Sequence, residues 1–264
     1  MRQLKKKIAN FLIGKKGFVA PLTDAADISR LIYSLSPIKT SKDLIRLGPD
    51  GDGGYLVPDD LVGVEACFSP GVNLVSDFEK ACADRGMQVF LADKSVDSPA
   101  VLHQNFQFTK KYIGAFNDND FMTIDSWVSG SLINKECDLI LQIDIEGYEY
   151  EVFLSCSEKL MSRFRIIVAE FHDLDQLWNR PFYLMASRVF EKINKTHACV
   201  HIHPNNYYGV YKKFDIEMPK LAEFTFLRND RIESFEYEKN FPHPLDRDNT
   251  KNKTIVLPNS WLRK

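Results

Sequence analysis

The run from Leu139 to Glu151, LILQIDIEGYEYE, decides the fold. Its first five residues are almost wholly apolar, which is typical of a strand buried on both faces of a parallel sheet. Asp144 and Glu146 follow where this strand ends, and Gly147 lets the backbone turn before a helical pattern resumes. Ligands of open α/β sheets bind at that end of the strands. An acidic helix N-terminus, favourable through the helix dipole alone, is the simpler alternative.

Composition excludes several classes of protein. A chain of 264 residues, 44% of them hydrophobic, forms one large domain or two small ones. A formal charge of -2 argues against a nucleic-acid binder, which is usually basic. The five cysteines form no CxxC pair and are expected to be buried thiols of a reducing compartment, which predicts a cytoplasmic protein. No segment approaches the roughly 18 apolar residues that a membrane span needs.

The segment from Met1 to Lys16 is locally basic. Its lysines and arginine surround a few apolar residues, so it is either an amphipathic helix that touches a membrane surface or a solvated terminal helix. The apolar run is short and lacks a cleavage site, so a signal peptide is not expected.

Strand and helix patterns alternate from Gly63 onward. The predicted strands are 64–68, 87–92, 110–116, 138–143, 165–171 and 198–203, with helices at 73–85 and 182–195 and a last strand, 223–228, expected at the sheet edge. This rhythm predicts an α/β fold with a Rossmann-like, doubly wound, mostly parallel sheet. We expect a helical extension over 1–45, the Rossmann-like domain over 46–228 and a loop-rich tail over 229–264.

The turn after the first of these strands predicts a nucleotide site. A dinucleotide site needs several glycines there, whereas Ser69-Pro70-Gly71 has one, which suits a ligand without phosphates such as S-adenosylmethionine. Asp93 lies 22 residues after Gly71, the spacing of a carboxylate that binds a ribose. The loop at 48–54, GPDGDGG, is either a hairpin close to the ligand or an ordinary turn. The predicted cofactor residues are Gly53, Gly54, Ser69, Pro70, Gly71, Asp93, Asp144 and Glu146.

Polar groups also end the later strands, and we expect these ends to converge. Asp144 ends one strand, Glu170 and His172 the next, and His201 and His203 the third. Side chains at i and i+2 of a strand share a face, so at least one of these histidines is expected to be catalytic. The remaining candidates, for binding a substrate, are Glu170, Asp173, Arg180, His201, Asn205 and Tyr207.

Four motifs resemble those of the FkbM-type methyltransferases. They are IDIEGYE at 143–149, GPDGDGGYLVPDD at 48–60, Thr123-Ile124-Asp125 and HIHPNN at 201–206, whereas SPGV at 69–72 departs from the usual glycine-rich turn. The resemblance covers roughly residues 44–228. It implies a Rossmann-like fold, S-adenosylmethionine as the cofactor and methyl transfer, usually to an oxygen of a sugar or another small metabolite. Such enzymes often serve glycan, capsule or natural-product pathways.

This resemblance gives the polar strand ends two possible mechanisms. In the first, His172 is the base that takes the acceptor proton, and Asp144 lies near the sulfonium. In the second, Asp144, His172 and His203 hold a divalent metal that lowers the pKa of the acceptor hydroxyl. The acceptor is a sugar, a phosphate-bearing or a nucleotide-linked metabolite, and oxygen and nitrogen both remain open as the acceptor atom. A metal-dependent hydrolase and a non-catalytic nucleotide-binding domain are the competing classes.

Overall fold

The structure is a computed structural model, and it describes residues 19–72 and 75–263. The basic segment Met1–Lys16 and the helix start expected at Asn73 lie outside the described residues. Within the described part of the chain, no helix has the length and apolar character needed to cross a bilayer.

The described residues form fifteen strands. In chain order these are β1 (Ile38–Thr40), β2 (Leu44–Leu47), β3 (Tyr55–Pro58), β4 (Val64–Pro70), β5 (Gln88–Ala92), β6 (Phe106–Thr109), β7 (Tyr112–Gly114), β8 (Phe121–Thr123), β9 (Asp138–Ile143), β10 (Phe164–Phe171), β11 (His197–Pro204), β12 (Val210–Lys213), β13 (Ile216–Pro219), β14 (Ala222–Arg228) and β15 (Phe235–Tyr237).

Six α-helices accompany them in the same residues. They are α1 (Ala25–Ser34), α2 (Asp77–Ala83), α3 (Ile124–Ser131), α4 (Glu149–Ser155), α5 (Glu158–Met161) and α6 (Arg180–Asn194). Helix α1 buries Ile28, Leu31 and Ile32, the residues whose helical spacing marks one face.

Seven strands form the central sheet in the order β11-β14-β10-β9-β4-β5-β6. Every neighbouring pair is parallel except the two that involve β14. The chain winds outward from β4 in one direction and from β9 in the other, so the boundary between these two strands is the topological switch point. The predicted Rossmann-like, doubly wound fold is confirmed.

Both faces of the sheet are covered, as the unbroken apolar strands require. Alternate residues of β9 enter different cores: Leu139 and Leu141 pack with α3, α4 and α6, whereas Ile140 packs with α2 and the β2–β3 hairpin. Complete burial of side chains of this size contributes about 1.5–3 kcal/mol each. The strand is therefore anchored from both sides, which makes its carboxyl end a rigid platform.

Four expectations about the elements were wrong. Strand β14 lies between β10 and β11 and runs antiparallel to both, so it does not close the edge. The expected strand at 110–116 is replaced by β6 and β7, and within the described residues 75–85 only Asp77–Ala83 is helical. Strands β1 and β2 occupy part of the segment expected to be helical before residue 45. Local periodicity does not encode strand order, which depends on long-range pairing.

The tail after residue 228 returns across the fold. Strand β15 pairs with β1, and the buried Trp261 donates from its indole nitrogen to the Glu217 carbonyl oxygen, 3.2 Å away. Between these points, Asn206 donates to the carbonyl oxygens of Thr250 and Asn252. The segment 246–252 therefore lies against the carboxyl end of β11, close to the polar strand ends.

Candidate active site

A cavity of about 510 Å³ opens at the carboxyl ends of β4, β5 and β9. Its size lies within the usual range for a cofactor or small ligand, about 300–1,000 Å³. Its lining is Gly71, Val72, Ala92, Asp93, Ser95, Val96, Tyr112, Ile113, Phe121, Asp144, Ile145, Glu146 and Tyr148. Carboxylates thus lie beside an apolar and aromatic wall at the switch point of the sheet.

Gly71 brings the two central strand ends together. Its φ is +95°, and a Cβ on it would lie 1.6 Å from the carbonyl oxygen of Asp144. Only glycine permits this approach, because no side chain fits and the backbone is in the left-handed region. The turn after β4 and the loop after β9 therefore form one continuous cavity wall.

Asp93 ends β5 at the rim of the same cavity. Its Oδ1 accepts from the backbone nitrogen and the hydroxyl of Ser95, both at 2.6 Å. These bonds fix the carboxylate, and Oδ2, which accepts no hydrogen bond from another described residue, can accept from a ligand hydroxyl.

The other predicted cofactor residues lie outside this lining. Ser69 is fully buried, and its hydroxyl is 2.5 Å from Glu79 Oε1 and 2.6 Å from Gln142 Oε1 in a network beneath the cavity. Pro70 is the last residue of β4. Gly53 and Gly54 form the turn between β2 and β3, where a Cβ on Gly54 would lie 2.2 Å from the Pro49 carbonyl oxygen. A glycine is therefore needed at position 54 for the hairpin turn itself.

His172 lies between carboxylates at the end of β10. Its Nδ1 is 3.2 Å from Glu149 Oε1, and its Nε2 is 3.9 Å from Asp144 Oδ1 and 3.5 Å from Glu146 Oε2. Glu149 is fully buried, whereas Glu146 is exposed and has a left-handed φ of 57°. The imidazole therefore bridges a buried carboxylate and the acidic edge of the cavity.

The surroundings of Asp144 and His172 raise the pKa values of both groups. Burial raises the pKa of Asp144 to about 7, with Glu149 and Glu146 adding to the rise against the opposing effect of His172. Burial lowers the pKa of His172, but the hydrogen bond and charge of Glu149, with Asp144 and Glu146, outweigh it and leave that pKa raised. The site therefore places a carboxyl group and an imidazole side by side, both with shifted pKa values, which is typical of acid–base sites.

His203 lies apart from this pair, because β14 separates β11 from β10. His203 pairs with Glu223 in register, and Glu223 pairs with Glu170, so His203 is two strands, roughly 10 Å, from Glu170. Asp144, Glu149 and His172 instead offer three ligand atoms within 4.8 Å of one another. The structure thus groups Glu149, not His203, with the other two predicted metal ligands.

His201 and His203 face the tail. His201 Nε2 is 2.8 Å from Asp246 Oδ1, and His203 Nδ1 is 3.6 Å from the same oxygen, too far for a hydrogen bond. Among the described residues neither ring nitrogen of His203 has a hydrogen-bond partner. Burial lowers the pKa of His203, but Asp246 and Glu223 outweigh it and raise that pKa to about 9.

A row of carboxyl groups, made of Asp52, Glu170 and Glu223, lies near Asp144. Asn205 donates to Glu170 Oε1 at 2.8 Å. Asn249 of the tail donates to Glu223 Oε1 at 2.6 Å and to Asp52 Oδ1 at 3.1 Å. Burial raises the pKa of Glu170 well above its usual range, and neighbouring carboxylates add to the rise. The GPDGDGG loop and the tail therefore meet over this row.

The remaining substrate candidates lie at different places. Arg180 donates to Asp27 of α1 at 2.5 Å and stacks on Tyr183. Tyr207 is exposed and packs edge-on against Tyr208, and Asp173 has a left-handed φ of 55° directly after His172. Of these, Asp173 is adjacent to the histidine, whereas Arg180 ties the N-terminal helix to α6.

Sequence reasoning missed two features of the site. Glu149 received no role although it ends the IDIEGYE motif, where its position four residues after Ile145 was the available signal. The aromatic wall formed by Tyr112, Phe121 and Tyr148 comes from separate segments, and no local pattern connects them.

Comparisons with known proteins agree with this geometry. Residues 90–208, just under half of the chain, match the family model described as Methyltransferase FkbM domain. No curated protein matches the chain.

Three solved structures are similar to this chain. A protein described as a methyltransferase from the antibiotic biosynthesis pathway of Anabaena variabilis is 16% identical, covers 53% of this chain and 60% of its own, and has a TM-score of 0.27. Protein 1320 of Thermoplasma acidophilum is 10% identical, with coverages of 64% and 81% and a TM-score of 0.33. EvdMO1 is 11% identical, with coverages of 78% and 47% and a TM-score of 0.29.

The matched residues contain Asp93, Asp144, Glu149 and His172, and also three of the four motifs that carried the resemblance. The resemblance predicted from the sequence is therefore confirmed: residues 90–208 of this chain match the model of the FkbM methyltransferase domain.

Proposed function

We propose that this protein is an S-adenosylmethionine-dependent O-methyltransferase that acts on a hydroxyl of a sugar or a related small metabolite. The observation that carries the proposal is the Asp144–His172 pair at the edge of the switch-point cavity, inside the FkbM domain. A base beside a cofactor cavity is the arrangement that methylation of an alcohol requires.

The cavity fits S-adenosylmethionine, which supplies a methyl group on a positively charged sulfur. Asp93 is held by Ser95 with one oxygen free, which suits a pair of ribose hydroxyls. Phe121, Tyr112 and Ile145 offer the apolar wall that a purine needs. Asp144 and Glu146 supply negative charge for a cationic ligand.

His172 would act on the acceptor. As the new bond from the acceptor oxygen to the methyl carbon forms and the carbon–sulfur bond breaks with its electron pair going to sulfur, the hydroxyl proton passes to His172 Nε2. Removing this proton contributes roughly 10²–10⁴-fold to the rate. Asp144, whose Oδ1 is 3.9 Å from Nε2, would receive the proton in turn, because its pKa is raised to about 7.

The row of carboxyl groups near Asp144 favours an uncharged acceptor. Asp52, Glu170 and Glu223 are close to one another, and the amides of Asn205 and Asn249 occupy Oε1 of the two glutamates. Oε2 of each glutamate is left for an acceptor hydroxyl, which hydrogen-bonds a carboxyl group in either protonation state. A phosphate would be repelled by the ionised members of this row. The row therefore supports a sugar more than a phosphate-bearing acceptor.

The biological setting belongs to the same proposal. Sugar O-methylation serves surface-glycan, capsule and natural-product assembly, as the family resemblance implies. The five cysteines are free and buried, which fits a cytoplasmic enzyme.

A second candidate is the same transfer assisted by a divalent cation. It is favoured by the three ligand atoms of Asp144, Glu149 and His172 within 4.8 Å. Against it, Glu149 Oε1 already accepts from the backbone nitrogens of Ile145 and Gly147 and lies 3.2 Å from His172 Nδ1. Only Oε2, which has no hydrogen-bond partner among the described residues, is left for a cation. Calorimetric titration with Mn²⁺ separates the two, because binding that disappears in His172→Gln would support the metal.

The test of the main proposal is calorimetric titration with S-adenosylhomocysteine, with NAD as the control. Micromolar binding of the former alone supports the cofactor assignment, and failure of the folded protein to bind it contradicts the proposal. Neutral, amino and phosphorylated sugars are then offered with S-adenosylmethionine, and products are identified by the mass of one added methyl group. Methylation of phosphorylated sugars alone would contradict the assignment of the acceptor.

A further inference from the structure

We infer that Glu149 is the positioning residue of His172: it holds the imidazole with Nδ1 protonated and Nε2 directed to the acceptor side, and it ties this ring to the loop of the cofactor cavity. The inference rests on the proposed function, in which His172 is the base.

Glu149 is placed for this role by the start of α4. Its side chain is fully buried, and its Oε1 lies 3.2 Å from His172 Nδ1. The same oxygen accepts from the backbone nitrogens of Ile145 at 2.9 Å and Gly147 at 3.2 Å. Because the oxygen already accepts from two N–H groups, it is the acceptor toward the imidazole also, and Nδ1 is the donor. Nε2 of the neutral ring is then left with its lone pair.

The neighbouring residue of the same helix fixes the other end of His172. The Tyr150 hydroxyl donates to the His172 carbonyl oxygen at 2.7 Å. Helix α4 therefore holds both the backbone and the ring of the base, through Tyr150 and Glu149. A histidine held in this way keeps one tautomer and one orientation.

The carboxylate also sets the basicity of the imidazole. The charged groups that face His172 are Asp144 and Glu146 from the loop after β9 and Glu149 from α4. Glu149 is the nearest and the only one of the three that is fully buried, so its charge is the least screened by water. A buried charge at this distance changes the pKa of its partner by about one to three pH units.

The loop contacts connect the base with the cofactor. Ile145 lines the cavity, and Gly147 follows the left-handed Glu146 in the same loop. A conformational change of this loop on cofactor binding would therefore be transmitted to His172 through Glu149 Oε1. Glu149→Gln keeps an acceptor oxygen for the backbone nitrogens of this loop but removes the negative charge. It therefore separates the hydrogen bonds to the loop from the effect of the charge on the imidazole.

The experiment is an NMR titration of ¹⁵N-labelled histidine side chains in the full-length protein without cofactor. His172 is assigned among the six histidines by comparison with His172→Gln. The wild type is expected to show the Nδ1–H tautomer and a pKa above about 6.5. In Glu149→Gln that pKa is expected to fall by at least about one pH unit, because the charge is lost. Glu151→Gln, two residues later in α4, is the matched control and is expected to leave the titration unchanged.

Two results would overturn the inference. One is a His172 titration in Glu149→Gln equal to that in the wild type and in Glu151→Gln. The other is the Nε2–H tautomer in the wild type, which needs only the His172→Gln variant for assignment and is decisive even if Glu149→Gln does not fold. Both readings are made without cofactor or acceptor, so they stand apart from the titration with S-adenosylhomocysteine that tests the proposed function.

Discussion

Glu223 lies directly opposite Glu170 in the antiparallel β10–β14 pair, and both side chains are buried. Like charges directly opposite each other destabilise a sheet, so a proton on one of the two relieves the repulsion. Burial raises the pKa of each, and the other carboxylates of the site add to the rise for Glu170. The sheet therefore carries a local cost in stability near the carboxyl end of β10, which is typical of functional sites.

Glu170→Gln is expected to stabilise the protein and to weaken its activity. A glutamate whose folded pKa is raised loses stability as the pH rises through that value, so the neutral amide gains about 1–3 kcal/mol in the free energy of unfolding above neutral pH. Urea denaturation at pH 8 measures the gain. The exposed Glu236→Gln in β15 is the control, and an equal gain there would contradict the role of burial.

Asp93→Ala is expected to weaken S-adenosylhomocysteine binding by about 10- to 100-fold, since hydrogen bonds to a charged group contribute about 1.5–3 kcal/mol. Calorimetry gives the dissociation constants. Asp97→Ala removes an exposed carboxylate that pairs only with Lys110 among the described residues, and it should bind like the wild type. Unchanged binding by Asp93→Ala would remove this residue from the cofactor site.

His172→Gln is expected to lower kcat by roughly 10²–10⁴-fold, because the acceptor proton loses its base. Binding of S-adenosylhomocysteine is expected to stay within a few-fold of the wild type, since Nε2 acts on the acceptor. His103→Gln, at a partly buried position beside Phe106, serves as the control. Retention of the wild-type rate by His172→Gln would exclude the imidazole as the base.

Gly71→Ala is expected to destabilise the protein more than Gly86→Ala does, by at least about 2 kcal/mol. Both glycines have φ of +90° or more, so both variants carry the strain of a left-handed alanine. Only at position 71 does the Cβ meet a backbone oxygen, whereas nothing lies within 4 Å at position 86. Thermal denaturation compares the two, and equal losses would show that the close approach to Asp144 is not required.

His203 is expected to make the stability depend on pH. Its folded pKa is raised to about 9, so its contribution is complete below the unfolded value of about 6.5 and is lost as the pH rises through 9. The loss reaches at most about 3 kcal/mol. The difference in unfolding free energy between wild type and His203→Gln should therefore shrink between pH 6.5 and 9. A difference independent of pH would contradict the ion pairing with Asp246 and Glu223.

Local chemistry made part of the site predictable. Gly71, Asp93, Asp144 and Glu146 all line the cavity, because each follows a buried strand whose end is marked by an abrupt change from apolar to polar residues. The parallel sheet then brings these ends to one edge. Such residues can be located from sequence because their positions depend on the strand that precedes them.

Long-range pairing made the rest unpredictable. The insertion of β14 separates His203 from His172, and nothing in the segment 223–228 distinguishes an inner antiparallel strand from an edge strand. Glu149 is a helix residue whose side chain turns back toward β10, a contact across 23 positions of the chain. The aromatic wall depends in the same way on β7, β8 and the loop before α4, which meet only in the folded molecule.

The bridge made by Asn249 between Asp52 and Glu223 joins three segments that all lie outside residues 90–208. The groups proposed to bind the cofactor and move the proton lie inside that span, whereas Asp52 and Glu223, two of the three carboxyl groups proposed to contact the acceptor, lie outside it. Under the proposed function, changes in these two flanks would therefore alter the acceptor and leave the residues of methyl transfer unchanged. Exchanging those flanks between relatives would be the corresponding route to a new acceptor in protein engineering.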